Sequence, residues 1–128
     1  MEARTLALLG SAARGAWGLG AYATPHAMTR AQLTGGPDLD LPDPRLYVRG
    51  FGAHQVLIAG FTTFAATRSP SLLRPALALS ALLDAVDIAS AAAELRARRG
   101  ADRTVVGGIV FSGGGLALSA AALRALRR

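Results

Sequence analysis

Four fully charged side chains, Arg14, Arg49, Asp84 and Asp87, interrupt stretches that are otherwise apolar. Two guanidiniums and two carboxylates form a set that can neutralise itself. The same set can do acid/base chemistry, with a carboxylate moving a proton while a guanidinium holds a carbonyl or enolate oxygen. Asp84 and Asp87, at i and i+3, share a helix face, which Ser80 and Glu94 extend in both directions. In another apolar stretch His54 stands beside Gln55. Imidazole changes charge near neutral pH, which makes His54 a second candidate proton carrier. The alternative is a neutral ring bonded to a backbone carbonyl or a glutamine. The catalytic candidates are therefore Asp84, Asp87 and His54, and the binding candidates Arg14, Arg49 and Gln55. By the 100° step of a helix, His54 points well away from Arg49, and Gln55 elsewhere again. The three cannot line one narrow pocket, so at least one meets a different neighbour.

No metal or cofactor is expected. The chain has no Cys to supply a thiolate ligand, a disulfide or a thiol nucleophile, and no H-x-x-E type spacing. The two arginines would also repel a cation. Gly113-Gly114-Gly115 lacks the Lys-Ser/Thr and the preceding strand of a phosphate loop.

The elements that must position these groups are helices. Four stretches approach the ~20 apolar residues a spanning helix needs: Thr5 to Ala23, Leu46 to Thr67, Leu72 to Glu94 and Thr104 to Leu123. Ala dominates their apolar positions and period-two alternation is absent, so strands are excluded. The Pro- and Asp-rich run Gly35 to Arg45 reads as a loop, Arg68-Ser69-Pro70-Ser71 as a tight link, and Glu94 to Asp102 as a charged turn with Gly100 as its stop. The expected fold is all-α, a single domain over residues 1–128 built as an up-down-up-down four-helix transmembrane bundle. A soluble bundle is the alternative, but each of its helices would need a polar stripe that the second and fourth stretches lack. With Glu2 ahead of the first stretch and Arg14 at its centre, no cleavable signal is expected there.

Composition agrees. The chain is 52% hydrophobic and 17% charged, too apolar for disorder. Fourteen basic residues, all arginine, against eight acidic ones give +6. The arginine clusters at 96–103 and 124–128 lack interleaved aromatics, so they read as topology signals or contacts to membrane lipids and not as a nucleic-acid site. Loop arginines divide evenly between the two ends, which permits dual topology and a homodimer. Trp17, Tyr22 and Tyr47 read as interfacial anchors.

A charge near the bilayer centre costs about 2.5–3.5 kcal/mol, so such residues face inward and pair. In an up-down bundle Arg14 falls level with Asp84 at the midplane, and Arg49 with Asp87 nearer the first loop. Those are the expected pairs. Small residues supply close approach between helices: Gly10 and Gly18 on the Arg14 face, Ser11 and Gly15, Gly52 and Gly60, and the ridge Gly108, Ser112, Gly115 and Ser119.

The segment Arg49-Gly50-Phe51-Gly52-Ala53-His54-Gln55, followed by Asp84-Ala85-Val86-Asp87, resembles small bacterial four-helix membrane proteins. Those carry Arg-x-x-Gly early in the second helix and Asp-x-x-Asp in the third, and are similar in size and layout to DoxX-like membrane proteins. The resemblance implies a multi-pass protein of the bacterial inner (plasma) membrane and brings no agreed activity. The cysteine redox chemistry proposed for some DoxX-like proteins cannot apply to a chain without Cys. The functional expectation is a buried Arg/Asp/His pocket that binds a lipophilic small molecule and catalyses its isomerisation or cyclisation. Two alternatives are an accessory subunit whose ion network only sets helix register, and a small transporter.

Overall fold

Ala and Leu, the two best helix formers among apolar residues, fill the four stretches, and each folds as one α-helix. The computed structural model of the protein describes residues 2–25, 27, 44–97 and 103–127. Among the described residues there are four helices and no strand: α1 (Ala3–Ala23), α2 (Pro44–Arg68), α3 (Pro70–Ala97) and α4 (Arg103–Ala125). At 1.5 Å per residue they are roughly 30 to 40 Å long. Pro44 and Arg45, expected in a loop, instead open α2, where proline fits the first turn because its missing N–H has no helical partner. Ser69 alone separates α2 from α3. The charged turn expected from Glu94 begins later, since α3 continues to Ala97. The rest of the two other connections, 35–43 and 98–102 with Gly100, lies outside the described residues.

α1 packs most closely on α2, and α3 on α4; the two pairs meet along α1–α4 and α2–α3. α1 and α3 therefore face each other across the centre. The α1–α2 seam closes to backbone contact at one point. A Cβ added at Gly18 would lie 2.7 Å from the Gly52 carbonyl oxygen, and one at Gly52 would lie 2.6 Å from the Gly18 oxygen. Only glycine permits this approach from both sides. Farther along the register, Gly15 faces Ala59 on α2, and Gly10 faces Leu118 on α4.

The interior is divided by polarity. Leu6, Ala7, Ala65, Ala66, Leu73, Ala76, Leu77 and Ala122 form an apolar cluster towards one end. The middle is polar, with Arg14, Gln55, Thr62, Ser80, Asp84 and Ser112 all buried. The exterior is the reverse: Leu57 is 72% exposed and Val110 69%. Arg4, Arg49, Arg68, Arg74, Arg96, Arg124 and Arg127 are exposed, and each lies within about two turns of a helix end or just past it. Exposed hydroxyls also fold back on their own helices, Thr67 donating to the Thr63 carbonyl at 2.8 Å and Ser90 to the Val86 carbonyl at 2.9 Å.

By length and composition α3 and α4 are long and apolar enough to cross a membrane. α1 and α2 fall short of that measure because they carry much of the polar interior, including Arg14, Gln55 and Thr62. Trp17, expected at an interface, turns inward instead: its ring packs on Phe111 of α4 with centroids 5.2 Å apart. Tyr22 is exposed. The side chain of Tyr47 lies outside the described residues.

The glycine contacts make a graded prediction. Gly18→Ala and Gly52→Ala should each lower stability by about 1–3 kcal/mol, the cost of overpacking a closed seam. Gly60→Ala and Gly108→Ala, whose added Cβ atoms meet nothing within 4 Å, should be neutral or mildly stabilising through helix propensity. Thermal unfolding of the purified protein, followed by helical circular dichroism, separates the two groups.

Candidate functional site

Leu6, Ala7, Ser11, Arg14, Gly18 and Ala21 recur at helical spacing on the buried face of α1, so the Arg14 side chain has no path to water along its own helix. It reaches across the centre. Its Nη2 donates to both carboxylate oxygens of Asp84 on α3, each at 2.6 Å, and its Nη1 donates to Oε1 of Gln55 on α2 at 2.6 Å. These are charge-assisted bonds in a setting that excludes solvent: Asp84 and Gln55 are 0% exposed and Arg14 6%. α4 contributes an absence of side chain. A Cβ added at Gly115 would lie 2.5 Å from Asp84 Oδ2 and 3.1 Å from Arg14 Nη2. All four helices thus meet at the level of one ion pair.

The expected Arg14–Asp84 pair is formed. The expected Arg49–Asp87 pair is not. Arg49 is exposed, and by the 100° step it lies more than about a quarter turn from the buried face of α2 marked by Gly52, Gln55, Ala59 and Thr62. Near a helix end a guanidinium reaches solvent without a partner. Asp87 is half-buried, and its Oδ2 has no hydrogen-bond partner. His54 is half-buried and meets the Phe51 ring edge-on, with centroids 6.3 Å apart. Arg49, His54 and Gln55 accordingly have three separate surroundings.

One turn from the ion pair, towards the apolar cluster, every helix supplies a buried hydroxyl: Ser11 from α1, Thr62 from α2, Ser80 from α3 and Ser119 from α4. Thr62 and Ser80 share a hydrogen bond at 3.4 Å. Ser11 Oγ has no partner. These four, with Arg14, line a cavity of about 270 Å³ whose remaining wall is apolar, including Leu6, Leu77 and Leu118. Exposed Ala13, Val110 and Gly114 also line it, which places its mouth between α1 and α4 on the apolar exterior.

Of the six residues expected to make the site, Arg14 is the one on the cavity wall. Asp84 and Gln55 hold its guanidinium from behind, while Asp87, His54 and Arg49 line no part of the cavity. The ring of hydroxyls is the feature that sequence reasoning missed as a unit. Its signal is spacing: Ser11, Ser80 and Ser119 stand three or four residues from Arg14, Asp84 and Gly115, one turn away on the same face.

Compared with protein-family models, with curated proteins and with solved structures, the chain matches none of them.

The ion pair has a measurable signature. Arg14→Ala or Asp84→Ala leaves one buried charge unmatched and should cost about 3–5 kcal/mol, whereas the double variant Arg14→Met/Asp84→Leu should recover most of the loss. Gly115→Ala should be destabilising as well, and less so in the double variant, because the added methyl strikes the paired carboxylate. A thermodynamic cycle on the purified protein checks all of these together.

Proposed function

We propose that this chain is a multi-pass protein of the bacterial plasma membrane that binds a small lipophilic molecule in the cavity between α1 and α4. Its four helices run up-down-up-down through the bilayer. The carrying observation is the cavity itself: its inner wall is polar, around Arg14 and four hydroxyls, and its mouth opens on an apolar outer face. A soluble protein has little use for such a mouth, whereas a ligand dissolved in lipid reaches it sideways.

The contact register supports the alternating topology. As α1 advances from Gly10 through Arg14 to Trp17, its partners on α4 recede from Leu118 to Gly115 to Phe111, and from Gly15 to Gly18 its partners on α2 recede from Ala59 to Gly52. The band of exterior free of charge supports the membrane placement of all four helices. On α4 it spans Thr104 to Leu123, about 30 Å at 1.5 Å per residue, close to the thickness of a hydrocarbon core.

The geometry favours binding over catalysis. An isomerisation or cyclisation needs a carboxylate in reach of the ligand, and Asp84 stands behind Arg14 and Gly115 with both oxygens held. A proton step at Asp84 would require its release from Arg14. A purely structural network would leave no void and no unpaired carboxylate oxygen, so the cavity and Asp87 Oδ2 favour binding over an accessory role.

Two measurements on the intact protein test the proposal. It should stay with the membrane pellet through an alkaline carbonate wash and be released by detergent. A solvent extract of the purified protein should then yield a lipophile at roughly one per chain, and this should be lost in Gly114→Leu. A Cβ at Gly114 meets nothing within 4 Å, so the larger side chain grows into the mouth without striking the backbone. Recovery in the carbonate supernatant, or equal lipophile in variant and wild type, would overturn the reading.

A further inference from the structure

Resting on the binding reading above, the geometry points to one ligand class: a short lipophile whose polar end is a neutral hydrogen-bond acceptor, such as an ester or ketone carbonyl, held by Ser11 and Arg14. A carboxylate anion is the ligand the site disfavours.

The first support is Ser11. It is 6% exposed and lies on the cavity wall, yet its hydroxyl bonds to nothing in the protein. A buried hydroxyl without a partner is costly, and Thr67 and Ser90 show the local remedy of bonding back to their own helix. Ser11 does not take that remedy, so a ligand that reaches its covered Oγ finds the donor unused. Thr62 and Ser80, by contrast, occupy each other.

The second support is the donor count on Arg14. A guanidinium carries five N–H donors, and the bonds to Asp84 and Gln55 use Nη1 and Nη2 without exhausting them. Arg14 is thus both satisfied in charge and open as a donor.

Charge decides between acceptors. The positive charge of Arg14 is already matched by Asp84 at 2.6 Å. One turn further along α3, Asp87 adds a carboxylate oxygen with no hydrogen-bond partner. An anionic head group would therefore bring an unmatched negative charge beside a pair that is already neutral, with no second cation among the described residues that line the cavity. A carbonyl asks only for the hydrogen bonds on offer. The tail meets Leu6, Leu77 and Leu118, and a volume of about 270 Å³ favours a short chain, since small-molecule pockets run from about 300 to 1,000 Å³.

Methyl nonanoate and decanoic acid are isomers, which makes them matched probes. The protein in lipid nanodiscs is equilibrated with either one at the same mole fraction of lipid, at alkaline pH so that the acid is ionised. Bound ligand is counted by native mass spectrometry. The wild type should prefer the ester at least about tenfold. Ser11→Ala should weaken ester binding about three- to tenfold while leaving the melting temperature of the unliganded protein unchanged or raised, because a lone buried hydroxyl is removed. Asp84→Asn, which uncovers the charge of Arg14, should shift the preference towards decanoate; Ser11→Ala carries the test if that variant does not accumulate. Decanoate binding as well as the ester in the wild type, or an unaltered ester affinity in Ser11→Ala, would overturn the assignment of ligand class alone. Failure of the wild type to retain either probe would overturn the binding reading beneath it.

Discussion

An arginine and an aspartate that face each other across the diagonal of a four-helix bundle impose a condition on every other element. Arg14 on α1 and Asp84 on α3 can meet only if α2 and α4 leave the centre open at that level. α2 does so by presenting Gln55, which joins the network as an acceptor, and α4 by presenting Gly115, which presents no side chain at all. Both charges are sealed from solvent, so the attraction between them is strong and the penalty for separating them is equally large. Such a pair adds less to net stability than its bond lengths suggest. What it fixes is register: a slip of any one helix by a residue would strand a charge.

The cavity follows from the same condition. A bulky apolar layer directly beneath the guanidinium would fill the centre, but the four positions there are Ser11, Thr62, Ser80 and Ser119, whose side chains are short. Space is left between Arg14 and the apolar cluster, and it opens where α1 meets α4, one of the two looser seams. The tight seam between α1 and α2, closed at Gly18 and Gly52, holds Arg14 and Gln55 in one rigid unit, so the opening does not loosen the ion pair.

Much of this is legible in the sequence, and the parts that are not have physical reasons. Charges in long apolar runs are conspicuous because they are expensive, so Arg14 and Asp84 point to each other before any coordinates exist. Arg49 is misleading because it sits near the start of α2, where the same side chain can reach the surface; depth, which the sequence gives only to within a turn, decides the matter. Gln55 proves more central than its neighbour His54, since one residue is a 100° rotation. Glycines advertise close approach without saying against what: Gly18, Gly52 and Gly115 are in contact, whereas Gly60 and Gly108 face open space. Serine and threonine are silent in isolation, because a hydroxyl can bond its own helix, another helix or a ligand. Only the arrangement of four at one level separates Ser11 from Ser90.

The indole of Trp17 packs against Phe111 with centroids 5.2 Å apart and the rings tilted by 33°, and Phe111 forms part of the cavity wall. It is also the sole tryptophan of the chain. The molecule therefore has one indole, excited selectively beyond the absorption of its tyrosines and phenylalanines and placed a single aromatic ring away from the space where a guest would sit. Its emission reports on the filling of that space without any label, and without interference from a second indole elsewhere.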